Sequence, residues 1–290
     1  MSKLNHRRVL ITGGAQGIGL EMAITFAGRG SEIIIADLNE AKLADAMARI
    51  AELGVPVWGF PVDVTNPASI ASLKAQVDAE VGPIDILVNN AGVVFGGPFT
   101  ETPLDDHFKT FEVNTLGVVA MTHAFLEDLV SRPEAHLVNI SSASGFIGLP
   151  YGSSYASSKW AVIGFSESIR AELNLNGHKH VHVTIVCPSY IGTGMFKGAE
   201  AAKATQILEP HFVAEKVVEG VEHNSVYVKE PWIVKITPLL RDLLPTALYD
   251  QLSHLFGADT SMAHWTGHHG DAKPDAEAQP ASSDQPEADR

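Results

Sequence analysis

The chain is 290 residues long and 45% hydrophobic, enough to bury one sizeable core with a small appendage. A formal net charge of −14 argues against non-specific nucleic-acid binding, so no nucleic-acid partner is expected. The single cysteine, Cys187, excludes an intrachain disulfide framework and fits a reducing, cytoplasmic setting, and the apolar run from Val9 to Ile11 is too short for a signal peptide or a membrane span.

From Arg8 to Thr12 the chain reads as a short buried strand. It runs into Gly13-Gly14-Ala15-Gln16-Gly17-Ile18-Gly19, and Leu20 to Gly28 then reads as a helix. A glycine-rich turn between strand and helix lets the backbone approach a pyrophosphate, and the helix N-terminus offers free amides and partial positive charge. Glu32 to Ala36 is a second strand. It ends in Asp37, 24 positions after Gly13. An acid there is placed to bind ribose hydroxyls and repels a 2′-phosphate. Leu38 comes next rather than an arginine, and the glycine loop carries Gln16 instead of a basic residue. The expected cofactor is therefore NAD rather than NADP. Asp37 can also cap the next helix, and the two roles are compatible.

Asn39 to Gly54 is an amphipathic helix, and Val57 to Val62 a third strand leading to Asp63 and Val64. Pro67 to Val81 is a helix, and Ile84 to Val88 a fourth strand that stops at Asn89-Asn90-Ala91-Gly92. Polar or small residues at strand C-termini are where ligands bind in doubly wound sheets. A long helix is predicted within Leu104–Val130, with Asn114 inside its apolar pattern as either a satisfied core amide or a functional group. Ala135 to Ile140 is a fifth strand, leading directly to Ser141 and Ser142.

Tyr155 and Lys159 precede a helix read as Trp160 to Leu175, with Ser153 or Ser154 as N-cap and Ala161, Phe165, Ile169 and Leu173 on its apolar face. Positions i and i+4 share a helix face, so the Lys159 ammonium can lie beside the Tyr155 phenol. A fixed positive charge there would lower a phenol pKa of about 10 and make a proton donor and acceptor that works near neutrality. The same pair is also common on solvated helix faces. Val181 to Cys187 is a sixth strand, leading to Pro188-Ser189-Tyr190-Ile191-Gly192-Thr193. Phe212 to Glu222 is a helix and Ser225 to Lys229 the last strand. The alternation predicts an α/β fold, a doubly wound, mostly parallel seven-stranded sheet with helices on both faces.

Taken together, residues 7 to 230 resemble the short-chain dehydrogenase/reductase family. Thr12-Gly13-x-x-x-Gly17-x-Gly19 is similar to its cofactor loop, and Asn89-Asn90-Ala91-Gly92 to the motif beneath the adenosine. Asn114, Ser142, Tyr155 and Lys159 resemble its catalytic tetrad; Ser142 stands 13 positions before Tyr155, the family's usual spacing. The resemblance implies a Rossmann domain over residues 1–230 with a substrate lid at about 194–212. It implies that Asp63 meets the adenine ring, that Thr193 binds the nicotinamide amide, and that Ile18, Val64, Pro188 and Ile191 belong to the cofactor site. Ser189 stands where the family commonly has glycine. Tyr155 would be general base in oxidation and general acid in reduction. Ser142 would hold the substrate oxygen, Lys159 would lower the phenol pKa and bind the ribose, and Asn114 would position a water. The implied activity is NAD-dependent interconversion of a secondary alcohol and a ketone. A retinol-like primary alcohol dehydrogenase, an epimerase or dehydratase, and a non-catalytic NAD(H)-binding sensor or scaffold are the alternatives. A homodimer or homotetramer through the helices around 104–130 and 155–175 is also implied.

Residues 231–266 form an apolar extension, read as two helices broken at Pro238 and Pro245 and similar to the extension of retinoid- and hydroxysteroid-directed members. It either packs against the domain or a second subunit, walls a bulky apolar substrate, or rests on a membrane surface. His264, His268 and His269 lack the carboxylate or cysteine pattern of a metal site, so no metal is expected, and His178, His180 and His182 read as exposed. Residues 267–290 carry six acids against two bases and have the composition of a disordered tail.

Overall fold

The computed structural model describes residues 2–203 and 205–267. The expected tail therefore lies outside the described residues apart from Gly267, as do His268 and His269. Seven strands form one sheet: β1 (Arg8–Thr12), β2 (Glu32–Asp37), β3 (Val57–Pro61), β4 (Ile86–Asn89), β5 (Ala135–Ile140), β6 (Val181–Pro188) and β7 (Tyr227–Glu230). Their order is β3-β2-β1-β4-β5-β6-β7, and every neighbouring pair is parallel. The chain reverses its direction of travel across the sheet between β1 and β4. Their C-terminal ends diverge there into a crevice.

Side chains alternate across the strands, so each strand feeds two cores. Val9, Ile11, Ile33 and Ile35 meet α1 (Gly17–Gly28), α2 (Glu40–Ala51) and α7 (Pro210–Glu222) on one face. Leu10, Ile34, Leu87 and Leu137 meet α3 (Pro67–Glu80), α5 (Gly117–Ser131) and α6 (Ser153–Leu175) on the other. Both faces being covered explains why these strands read as unbroken apolar runs.

The opposite, N-terminal ends of the strands are tied by charge. Asp85 is fully buried and accepts from Arg7 Nη1 (3.0 Å), Arg132 Nε (2.7 Å) and the Arg8 amide (2.9 Å). Beside it His136 is 2% exposed, bonded through Nε2 to Ser2 Oγ at 3.2 Å, with Nδ1 unpartnered.

Several local expectations are corrected. The helix predicted within Leu104–Val130 is α4 (Leu104–Phe111) and α5 joined by a π turn at Glu112–Leu116. Helix α6 begins at Ser153 with Gly152 at its N-cap and no side-chain cap; Ser154 Oγ is instead bonded to His107 Nδ1 at 2.6 Å. Of the expected stripe on α6 only Leu173 is fully buried. The face toward the sheet runs through Ser158, Lys159, Val162 and Ser166, because their polar groups find partners there. Pro238 does not break the extension: α8 (Ile233–Leu243) runs through it, and only Pro245 separates it from α9 (Thr246–Phe256). His178, His180 and His182 are half-buried rather than exposed, and His180 Nε2 bonds Val130 O at 2.9 Å. Among the described residues no helix is long and apolar enough to cross a membrane.

Candidate active site

The first turn of α1 sits against the end of β1 because the chain is glycine where it must be. Gly13 (φ +63°) and Gly17 (φ +54°) take left-handed conformations, and a Cβ on Gly19 would lie 2.1 Å from Gly13 O. Gln16, the N-cap, makes no side-chain capping bond, so the amides of this turn remain available to an anion. Asn90 Nδ2 donates to Thr12 O (2.9 Å) and Gly13 O (3.1 Å), while Thr12 Oγ1 accepts from the amides of Asn90 (3.0 Å) and Ala91 (3.1 Å). The glycine loop is thus fastened to the end of β4 across the crevice.

At the end of β2, Asp37 is 7% exposed and accepts from the amides of Ala15 (3.1 Å) and Asn39 (3.0 Å). Asp63 accepts from Thr65 Oγ1 and its amide, which hold its carboxyl below the usual carboxylate range. Val64 packs where a Cβ on Gly117 would come within 2.9 Å. Ile18 lies against the core on the α1, α2 and α7 face. From the other side, β6 ends at Pro188, Ile191 bridges Leu208, and the Thr193 methyl reaches to 3.5 Å from a Cβ built on Gly17. Free first-turn amides, positive-φ glycines and a carboxylate at the end of β2 together fit a dinucleotide.

The tetrad positions converge at the C-terminal ends of β4 and β5. Asn114 lies in the π turn, with Oδ1 accepting from the Val93 amide (2.8 Å) and Nδ2 donating to Val93 O (2.9 Å) and Ser158 Oγ (3.1 Å). A Cβ on Gly92 would stand 3.3 Å from Asn114 Oδ1 and 3.7 Å from Lys159 Nζ, so the three meet around one point. Ser142, just after β5, accepts from the Ser144 amide at 3.1 Å and lines one cavity with Tyr155.

Lys159 differs from the expectation. Its Nζ donates to Ile140 O at 2.9 Å and lies over the Tyr155 ring, 5.7 Å from its centroid. Burial pushes the Tyr155 phenol upward, against the effect of the Ser142 hydroxyl and with a contribution from Tyr190; burial also pushes Lys159 down to about 8. The phenol is therefore held neutral and suited to donate a proton, rather than poised as a base by the lysine alone.

Above Ser142 and Tyr155 opens a cavity of about 210 Å³. Its walls are apolar and much of them comes from the extension, through Ile233, Val234, Leu240, Leu252 and Phe256. Arg241 holds α8 in place, donating to Phe146 O and lying 4.6 Å over the Trp160 ring. Residues 257–267 then run from the cavity wall at Ala258 and Ser261 to Gly96, where the Trp265 ring packs. Met262, 1% exposed, packs in one cluster with Tyr155 and Val94. Trp265 Nε1 donates to Met195 O, and the Thr266 and Gly267 amides donate to Lys197 O.

The family model for short chain dehydrogenases matches residues 7–204. The chain belongs to the short-chain dehydrogenase/reductase family. As a short-chain dehydrogenase/reductase it is an oxidoreductase with a nicotinamide cofactor. It is 34% identical to epidermal retinol dehydrogenase 2 of Homo sapiens, over 82% of this chain and 78% of that one. It is 32% identical to 17-beta-hydroxysteroid dehydrogenase 13 of Rattus norvegicus, over 85% and 82%. A short-chain dehydrogenase/reductase from Burkholderia phymatum in complex with NAD superposes with a TM-score of 0.76 at 25% identity, over 83% of this chain and 95% of that one. An alcohol dehydrogenase from Thermococcus sibiricus complexed with 5-hydroxy-NADP has a TM-score of 0.68 at 25% identity, over 78% and 94%.

Three residues of this short-chain dehydrogenase/reductase site escape a reading of the sequence. Lys42, from α2, brings its ammonium onto Gln16 Oε1, so a basic group does stand beside the glycine loop although none lies within it. Its position one helical turn after the Asn39 cap is a usable signal. Met262 and Trp265 carry the signal of the apolar extension in which they stand, although nothing in spacing joins residue 265 to Gly96.

Proposed function

We propose that this oxidoreductase interconverts a secondary alcohol and a ketone with a bulky apolar body, and that it prefers NAD to NADP. The observation that carries this reading is the Ser142 and Tyr155 hydroxyls together at the floor of a largely apolar cavity. A ketone oxygen seated there receives hydrogen bonds from two hydroxyls while its apolar remainder replaces water along the walls.

When bound, the nicotinamide accepts or supplies the hydride. The protein moves the proton. In reduction the Tyr155 hydroxyl proton passes to the substrate oxygen as the C=O becomes C–OH; in oxidation the phenolate oxygen takes it back. Ser142 holds the oxygen in line, and Lys159 compensates the phenolate while it exists. Asn114, clamped to Val93, keeps its own carbonyl in a π turn, where the helical hydrogen bonds run one residue longer and leave room for a proton-carrying water. The Asp37 carboxylate supports NAD by repelling a 2′-phosphate.

A primary, retinol-like alcohol is a second reading, favoured by the same apolar cavity and by the name of one relative. We further infer a cytoplasmic enzyme that associates as a homodimer or homotetramer through the exposed apolar side chains of Leu104, Phe108, Leu116 and Val119. The test is NAD(H)- and NADP(H)-linked turnover across secondary alcohols, ketones and long-chain primary alcohols of increasing bulk. Turnover that rises with apolar bulk and with NAD supports the reading. Cofactor binding without turnover of any of them would return the protein to the sensor class.

A further inference from the structure

One aromatic hydroxyl in the cavity wall has a proton whose direction can be deduced. Tyr190, in the loop after β6, lines the cavity with Tyr155; Phe196 stands between them, edge-on to both rings at 5.6 and 5.1 Å. The Tyr190 hydroxyl lies 2.8 Å from Ser261 Oγ, which is 4% exposed. Ser261 has one hydroxyl proton, and it is spent on the carbonyl of Ala258 at 2.8 Å. Ser261 can therefore only accept from Tyr190, and Tyr190 must donate to Ser261. The Tyr190 oxygen is left with lone-pair capacity alone, beside a cavity whose walls are mostly apolar.

We propose that Tyr190 is a specificity-determining residue: its phenol oxygen accepts a hydrogen bond from a hydroxyl or N–H group on the part of the substrate that lies away from Tyr155. The substrate class is then an apolar ketone or alcohol with a second, donor-bearing polar group, and not a plain hydrocarbon ketone. A second acceptor on the substrate, such as another carbonyl, would face an oxygen with no proton to give and is disfavoured. This rests on the ketone-reductase reading above and deepens it.

The experiment compares three ketones of equal bulk: one plain, one with an added hydroxyl, one with an added carbonyl. Each is measured with the full chain for kcat and KM, and for binding to the enzyme–NADH complex by change in NADH fluorescence. The unaltered enzyme should favour the hydroxyketone over the plain ketone by roughly tenfold, in KM rather than kcat, the size expected of one neutral hydrogen bond. Tyr190→Phe should bring that ratio close to one. Ser261→Ala releases the Tyr190 proton, so the preference should shift toward the diketone. A ratio near one in the unaltered enzyme, or a ratio that survives Tyr190→Phe, overturns the proposal. Failure of the underlying reading looks different: no ketone is turned over, and the binding ratios by fluorescence then decide the role of Tyr190 on their own.

Discussion

Trp265 donates its indole N–H to the carbonyl of Met195 at 3.1 Å while its ring covers Gly96, so one side chain joins the loop after β6 to the loop after β4. A Cβ on Gly96 would stand 2.9 Å from the Trp265 ring. Gly96→Ala should therefore displace the indole from the loop after β4, while Trp265→Ala removes it. Both should raise KM for bulky ketones by roughly tenfold in steady-state assays, the cost of a badly seated substrate, with NADH affinity nearly intact. Trp265→Phe keeps one aromatic ring but loses the indole N–H and its five-membered ring, and should fall between. Equal KM values across these variants would remove the segment from the substrate site.

Tyr155→Phe deletes the proton donor without changing the ring's packing against Phe196. Turnover should fall by about a thousandfold or more, while NADH fluorescence titration gives an affinity close to that of the unaltered enzyme. Retained turnover would mean another group donates the proton.

Lys159, pushed down to about 8 by burial, loses its ammonium as pH climbs through that value. Ketone reduction should decline over the same range if the ammonium compensates the phenolate. Lys159→Met should give a slower reaction whose rate no longer bends near that pH. An unchanged bend in Lys159→Met would assign it to a different group.

His136 should make stability pH-dependent. Burial, then the neighbouring His182, lower it from 6.5 to about 3, with Glu134 opposing. Between those values the unfolded chain holds a proton that the folded chain does not, so the contribution is complete above 6.5, falls as pH drops toward about 3, and then levels. Urea midpoints should show the stability of the unaltered enzyme falling more steeply than that of His136→Gln between about pH 6 and 4, by about 1.4 kcal/mol per pH unit. Parallel slopes would place the titration elsewhere.

Asp37→Asn keeps an acceptor for only one of the Ala15 and Asn39 amides, which bond separate carboxylate oxygens, and removes the charge facing a 2′-phosphate; Lys42 stands close by on Gln16. The NAD-over-NADP ratio in kcat/KM should fall by about tenfold or more. A ratio that does not move would shift cofactor choice away from β2.

Strand positions, their order of burial and the glycine loop are legible in the sequence because each is a local pattern: Val9 to Thr12 running into Gly13, or Ile33 to Ala36 ending in Asp37. The convergence of Asn114, Ser142, Tyr155 and Lys159 is legible through family resemblance; the meeting of Asn114 and Lys159 at Gly92 joins distant parts of the chain and no spacing rule predicts it. The illegible parts are tertiary. Spacing predicts an apolar stripe on α6, yet the sheet face carries Ser158, Lys159 and Ser166, whose partners come from distant residues. Helical spacing brings Lys159 near Tyr155 but says nothing of the desolvation that both groups undergo in the folded chain. The Trp265 contact depends on chain distant in sequence folding back, which local pattern does not encode.

The π turn at Glu112–Leu116 holds one residue more than a regular helical turn needs. Deleting a single residue there would let α4 and α5 merge into one continuous rod with regular, better-formed hydrogen bonds. A selection for heat resistance alone would reward that deletion, and Asn114 would lose its hold on Val93. At this one point in the chain the more regular helix and the working enzyme are different molecules.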